Sequence, residues 1–175
     1  MNPIFLDKDT LTIDDLVAVA RHNAPAHFSP AGEARVARTS ALINRWVDEG
    51  KVIYGITTGF GALCNVTISP EDTRQLQENI LMSHAAGVGK PLPEAVSRAI
   101  MALRVHDLSL GYSGCRMETL RYLLTFLNEG VSPVIPEKGS VGASGDLAPT
   151  SHMGLVLIGR GEAVHQGERI PGRLA

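Results

Sequence analysis

The chain has 175 residues, of which 44% are hydrophobic and 19% charged, and its formal net charge is −2. This length predicts one domain over residues 1–175 with enough chain for a sizeable core, and the small net charge gives no reason to expect a nucleic acid or a membrane surface as partner. Two isolated cysteines, Cys64 and Cys115, favour a reduced, cytoplasmic compartment, and no apolar stretch approaches the roughly 20 residues that span a bilayer.

Helix-capping residues and apolar periodicity predict six helices along the chain. Thr12, with Asp15 three residues later, indicates a capping box at the start of the first helix. Ser29 followed by Pro30 is typical of a second helix start, and Gly50 of its end. The other four helices are predicted from Ser69 to about Gly87, from about Pro93 to Gly111, over Met117 to Gly130, and after Asp146.

Short strands are predicted between these helices. The β-branched and aromatic run "KVIYGI", residues 51–56, favours a strand, and "VSPVIPEKG", residues 131–139, is predicted to be extended because two prolines interrupt it. "EAVHQGERI" is typical of a hairpin that turns at Gln166-Gly167. The last helix is apolar nearly all round ("MGLVLIG"), which predicts deep burial. The fold class is therefore mainly α, with a few short strands.

The stretch "EKGSVGASGDLAPTSH", residues 137–152, concentrates glycines around one serine. The simplest interpretation is a tight loop before a helix, in which Ser144 or Asp146 is the N-cap. A second interpretation is a cradle of backbone amides that binds an anion at the helix start. The charge of Asp146 argues against it, because that carboxylate would repel a phosphate group.

A third interpretation is covalent. In a compressed turn the amide nitrogen of Gly145 can attack the carbonyl carbon of Ala143, which closes a five-membered ring. Small residues on both sides of Ser144 permit that approach, and loss of water from the serine leaves a methylene group conjugated to the ring. The product is an electrophile, which no ordinary side chain supplies, and it would act as a built-in cofactor.

Four segments carry a resemblance to a known family. "GSVGASGDLAP", residues 139–149, resembles the signature of the aromatic amino-acid ammonia-lyases. "YGITTGFG", residues 54–61, is similar to a glycine-rich loop of that family, and "SHAAGVG", residues 83–89, to its second active-site segment. "GYSGCR", residues 111–116, resembles a further family stretch. The segments cover most of the chain from about position 50 onward.

The resemblance implies a role for particular residues. Tyr54 would be the base that removes a proton from the β-carbon of the substrate, and Gly61 would bring its backbone close to that substrate. His84 would line the substrate pocket, and the Ser83-His84 pair resembles the histidine-specific branch of the family, because an imidazole can hydrogen-bond an imidazole substrate. Asp146 would cap the next helix, assist ring closure by polarising the Gly145 amide, or do both.

The resemblance also implies a cofactor and partners. Ala143-Ser144-Gly145 would form 4-methylidene-imidazol-5-one (MIO) autocatalytically, with no metal and no nucleotide. The chain would be the N-terminal, MIO-bearing domain of a helical, fumarase/aspartase-type fold, without the long helical bundle of the family. It would act in a homotetramer, or be completed by a second chain, in the cytoplasm. Other histidines, including His106, His152 and His165, are predicted to be structural.

The implied reaction is the elimination of ammonia from L-histidine to give trans-urocanate. The chain alone is expected to be inactive, because the family supplies further active-site residues from segments beyond those present here. Three alternatives remain open: a phenylalanine or tyrosine ammonia-lyase, a 2,3-aminomutase that returns the ammonia to the β-carbon, and a non-catalytic assembly subunit.

Overall fold

The computed structural model of the chain describes residues 2–59, 61, 64, 68, 70–143 and 145–175. Helices dominate the described part, as the sequence predicts. They are α1 (Ile13–His22), α2 (Pro30–Asp48), α3 (Pro70–His84), α4 (Glu94–Ser109), α5 (Met117–Glu129) and α6 (Ala148–Leu157). The strands are β1 (Ile4–Phe5), β2 (Ala26–His27), β3 (Val88–Pro91), β4 (Ser132–Pro133), β5 (Pro136–Lys138), β6 (Glu162–His165) and β7 (Glu168–Pro171), followed by a 3-10 turn (Gly172–Leu174).

The predicted helix starts are confirmed where the structure describes them. The Thr12 hydroxyl accepts a hydrogen bond from the Asp15 amide, and the Asp15 carboxylate accepts one from the Thr12 amide, which completes the capping box of α1. The hydrogen bonds from Lys8 and then from Thr12 lower the pKa of Asp15 to about 2. At α2 the Ser29 hydroxyl accepts from the Gly32 amide at 3.1 Å. Ser69, the predicted start of the third helix, lies outside the described residues.

Three small sheets connect the helices. β1 pairs in parallel with β2, β3 pairs with β5, and β4, β6 and β7 form an antiparallel sheet in that order. The predicted hairpin is confirmed, because Gln166 and Gly167 both have positive φ, 53° and 81°, as a two-residue turn of the I′ type requires.

The strand predicted over residues 51–56 is wrong. Residues 54–57 form a turn, in which Gly55 has a φ of +71°. The Thr57 hydroxyl donates to the carbonyl of Lys51 and accepts from the amide of Ile53, so these groups are satisfied locally. A side chain that bonds to the nearby backbone competes with strand pairing, and here the local bonds prevail over the β-propensity of the residues.

The core is built around α4. This helix packs against α1, α2, α5 and α6, and its Met101 and Val105 are fully buried beside Leu123 of α5. Each such side chain contributes about 1.5–3 kcal/mol by leaving water. Helix α6 buries Met153 and Val156, and its Leu155 and Leu157 are half-buried, in agreement with the predicted deep burial. Ile158, just after the helix, is exposed.

None of the helices in the described part of the chain is both long and apolar enough to span a lipid bilayer.

Candidate active site

The loop between β5 and α6 is closed by Asp146. Its Oδ1 accepts hydrogen bonds from the amide of Ser140 at 2.7 Å, from the hydroxyl of Ser140 at 3.1 Å and from the amide of Ala148 at 3.2 Å. These bonds, led by that from the Ser140 amide, hold the pKa of Asp146 below its ordinary value. The carboxylate therefore joins the two ends of the loop and accepts from the amide of Ala148, the first residue of α6. The N-cap of α6 is Leu147 and not Asp146, so the predicted N-cap position is wrong by one residue.

Gly139 permits this closure. A Cβ at position 139 would lie 2.1 Å from Asp146 Oδ2, well inside van der Waals contact. Any larger residue would therefore push the carboxylate away from Ser140.

Ala143 and Gly145, two of the three residues predicted from the sequence to form the cofactor, lie in this loop. The Gly145 amide donates to the carbonyl of Gly142 at 3.1 Å, so the chain folds back between these two glycines, and Gly145 has a φ of +85°. Ala143 and Gly145 are exposed, and Ser144 lies outside the described residues. For ring closure the Gly145 amide would have to give up its hydrogen bond to the Gly142 carbonyl. Its nitrogen would then have to approach the carbonyl carbon of Ala143.

Tyr54 comes from a separate turn, after α2. The amides of Ile56 and Thr57 both donate to the carbonyl of Ile53, which closes the turn and leaves the Tyr54 side chain 61% exposed. Gly61, the other candidate from this segment, is exposed and has a φ of +56°. Residues 60, 62 and 63 lie outside the described part.

His84 is the last residue of α3 and has a defined hydrogen-bond pattern. Its Nδ1 lies 2.9 Å from the carbonyl oxygen of Ile80 and 3.0 Å from the hydroxyl of Ser83. A carbonyl oxygen can only accept, so Nδ1 carries the proton. In a neutral ring, Nε2 is then an acceptor on a side chain that the structure shows as exposed.

Helices α3 and α6 bring two of these segments together. A Cβ on Gly154 of α6 would lie 2.7 Å from Leu81 Cδ2 of α3, so the helices meet closely there. Beyond α3, the Gly87 amide donates to Nε2 of His152 on α6 at 3.1 Å. Helix α3, which ends at His84, is thus in direct contact with α6, which follows residues 143–145. The hydrogen bonds that close the Tyr54 turn, in contrast, join residues within the range 51–68.

The candidate residues lie on an open surface. Val141 and Leu147, on either side of the turn, are exposed, as are Tyr54 and His84. One pocket of about 490 Å³ lies elsewhere, between α2 and the start of α5, and contains none of these residues. Among the described residues no group of three histidine, cysteine, aspartate or glutamate side chains is placed to hold a metal ion. Cys64 and Cys115 are free thiols, and burial raises the pKa of Cys115.

Comparison with known proteins identifies the family. A profile described as "Aromatic amino acid lyase" matches residues 11–175. The chain belongs to this family. The curated relatives include the histidine ammonia-lyases of Caldanaerobacter subterraneus subsp. tengcongensis and Alkaliphilus oremlandii, which are 53% and 54% identical over all 175 residues. The chain spans 34% of the length of each of these relatives.

Solved structures show the same fold. The histidine ammonia-lyase of Trypanosoma cruzi matches with a TM-score of 0.89 and 36% identity, over 98% of this chain and 33% of its own. The tyrosine aminomutase of Streptomyces globisporus matches with a TM-score of 0.91 and 34% identity, over 98% of this chain and 32% of its own. This aromatic amino acid lyase chain therefore has the mainly helical fold predicted from the sequence.

The sequence did not reveal how this lyase chain holds its loop and its α3 end in place. The prediction that His152 is structural names no partner for it, and the structure shows that it bonds to an amide 65 positions away. The closing bonds of Asp146 to Ser140 span six positions across a loop. Neither contact has a local sequence signal, although the clustering of Gly139 and Asp146 in one motif could have suggested that the two lie close together.

Proposed function

We propose that this chain is the electrophile-bearing part of an ammonia-lyase that converts L-histidine to trans-urocanate and ammonia. The observation that carries the proposal is the turn at residues 142–145, held by Asp146 at the start of a helix that packs against the His84 helix. The relatives named histidine ammonia-lyase support this reaction class and substrate.

The residues present fit an MIO group. Ala143 and Gly145 are small, the chain already reverses direction between positions 142 and 145, and Asp146 holds the loop ends together. These are the conditions under which an amide nitrogen can approach a carbonyl two residues earlier. When formed, the MIO group supplies an electrophile that makes the substrate amino group a good leaving group.

The chain's own residues supply substrate recognition and proton transfer. Nε2 of His84 accepts the N–H of the substrate imidazole, because Nδ1 is held as a donor by the Ile80 carbonyl. An apolar residue at position 84 would leave that substrate N–H unpaired, which gives the site its preference for histidine over phenylalanine. Tyr54 Oη removes the β-proton, and Gly61 lies against the substrate in the same loop.

We further infer that the site is completed by chain beyond these residues. The relatives are about three times as long as this chain, and Tyr54, His84 and the 143–145 turn lie on a surface open to solvent. The missing region would belong either to the same polypeptide or to a second chain, within a cytoplasmic homotetramer.

The experiment is a product analysis on the complete, assembled enzyme. L-histidine is expected to yield trans-urocanate and ammonia, whereas L-phenylalanine and L-tyrosine are expected to react far more slowly. Tyr54→Phe is expected to lower kcat by about 10²–10⁴-fold because it removes the base. Tyr122→Phe, on the exposed face of α5, is the matched control and should leave kcat unchanged. No urocanate from the wild-type enzyme, or full activity in Tyr54→Phe, would overturn the proposal.

A 2,3-aminomutase is the second candidate. The solved relatives include aminomutases of Streptomyces globisporus and Pantoea agglomerans, at 34% and 31% identity. The same product analysis separates the two reactions, because a mutase yields a β-amino acid and retains the ammonia. A non-catalytic subunit would form neither product and would keep the unmodified mass at residues 143–145.

A further inference from the structure

The two halves of the proposed site are aligned by the contact between α3 and α6. His84 ends α3, and the 142–145 turn lies just before α6. At one side of this contact an ion pair joins Glu78 of α3 to Arg160 just after α6, at 3.6 Å, with the Arg160 side chain 52% and the Glu78 side chain 33% exposed. At the other side lies the hydrogen bond from the Gly87 amide to His152.

The bond to His152 requires one form of its imidazole. An amide N–H can only donate, so Nε2 of His152 must be without a proton, and the neutral ring then carries its proton on Nδ1. Burial lowers the pKa of His152, so the ring is neutral and able to accept at neutral pH. His84 shows the same tautomer, with Nδ1 as the donor and Nε2 as the acceptor.

Gly87 is confined on two sides. A Cβ at this position would lie 2.9 Å from Nε2 of His152 and 3.2 Å from Cβ of Pro136 in β5. Because its φ is not among the positive ones, Gly87 is required for space and not for an unusual backbone conformation. The chain just after His84 is thus held between α6 and β5. The space at position 87 fits a glycine, which has only a hydrogen atom in place of a side chain, and the Gly87 amide bonds directly to the imidazole of His152.

We propose that His152 is a positioning residue for the lyase reaction. By accepting the Gly87 amide it fixes the end of α3, and with it the imidazole of His84, relative to the turn that bears residues 143–145. The inference rests on the proposed function, because it takes His84 to be the residue that binds the substrate side chain. His152 itself does not touch the substrate.

If His152 has this role, its substitution should change KM and leave kcat nearly unchanged. His152→Leu keeps much of the volume but leaves the Gly87 amide without its acceptor, so the end of α3 shifts. His84 then binds the substrate less well in the ground state and in the transition state alike, which raises KM and spares kcat. We expect KM for L-histidine to rise about tenfold and kcat to change less than about threefold.

Conservative replacement provides the decisive comparison. In His152→Gln the side-chain oxygen reaches about as far as Nε2 and can accept the same amide, so KM should return to within about twofold of the wild-type value. Glu78→Gln is the matched control within the same helix contact, since it removes only a partly exposed ion pair at 3.6 Å and should leave KM and kcat unchanged.

The experiment uses the complete, assembled enzyme, with steady-state kinetics on L-histidine and hydrogen–deuterium exchange at the Gly87 amide. Slow exchange is expected in the wild type and in His152→Gln, and fast exchange in His152→Leu. Provided that the wild-type enzyme forms urocanate, either of two results would overturn the inference: equal KM in the wild type and His152→Leu, or failure of His152→Gln to restore KM. Absence of urocanate formation by the wild type would instead overturn the proposed function and, with it, the assignment of His152.

Discussion

Asp146 acts at the scale of single atoms, through one carboxylate oxygen that accepts three hydrogen bonds. Because the pKa of Asp146 lies below its ordinary value of 3.8, the folded state favours the charged form. The stabilisation is therefore fully present above pH 3.8 and is lost as the pH falls through the lowered pKa. At neutral pH the loop is held closed by a carboxylate that is always ionised.

Gly139→Ala tests whether this closure matters for cofactor formation. The added Cβ would lie 2.1 Å from Asp146 Oδ2 and would displace the carboxylate from Ser140, so the turn would no longer be held. We expect the fraction of protein that loses two waters at residues 143–145 to fall several-fold, as measured by intact mass of the complete enzyme after expression.

Ser140→Ala is the graded comparison for this prediction. It removes one of the bonds to Asp146 but keeps the backbone amide that makes the shortest one, at 2.7 Å, so maturation should remain near the wild-type level. Complete maturation in Gly139→Ala would show that the closed loop is not needed for ring formation.

At the scale of whole elements, Arg98 joins the ends of two helices. It is 4% exposed in α4, and its two terminal nitrogens donate to the carbonyls of Val19 in α1 and Leu127 in α5, each at 2.9 Å. Both carbonyls lie in the last turn of their helix, where no intrahelical donor is available. Burial lowers the pKa of Arg98, which remains a cation at the negative ends of two helix dipoles.

Arg98→Met is expected to destabilise the fold. It fills a similar volume but leaves two buried carbonyls unpaired, and the free energy of unfolding should fall by about 2–4 kcal/mol. The measurement is urea unfolding of the chain followed by circular dichroism. Arg104→Met, on the same helix, removes only an exposed ion pair to Asp107 and should cost less than about 1 kcal/mol. Equal stability of the two variants would contradict the role assigned to Arg98.

Helices and strands differed in how well the sequence predicted them. The starts of α1 and α2 could be predicted because a capping residue bonds to an amide only three positions away. The short strands β1 and β3 were missed, since each has two to four residues and pairs with a segment more than 20 positions distant. Pairing of this kind is decided by the packing of the helices that carry the strands and not by β-propensity.

At the scale of the whole molecule, the proposed active site is incomplete. Tyr54 is 61% exposed and Val141 is fully exposed, whereas an elimination of this kind needs a site from which water is excluded. The chain also spans only about a third of the relatives' length, 34% in both histidine ammonia-lyases named above. Both observations point to further chain that covers this surface.

The 175-residue chain alone is therefore expected to fold without catalysing the reaction. Ammonia release from L-histidine should be undetectable, while circular dichroism shows the helical content of a folded protein. The complete enzyme, assayed side by side, should be active and should show the mass loss of two waters. Sustained turnover by the isolated chain would contradict this prediction and would show that these residues suffice.

The amino-acid sequence over short windows was enough to predict most helices, the hairpin turn and the family-specific motif around residues 139–149. Each of these depends on residues within a few positions of one another. Contacts across the fold were decided by tertiary packing: the bond of Gly87 to His152 spans 65 positions, and that of Arg98 to Val19 spans 79. Such contacts arise only when helices pack, and packing depends on the shape of every surface involved. The turn that would form the electrophile is thus local in origin, whereas its alignment with His84 is a property of the folded chain.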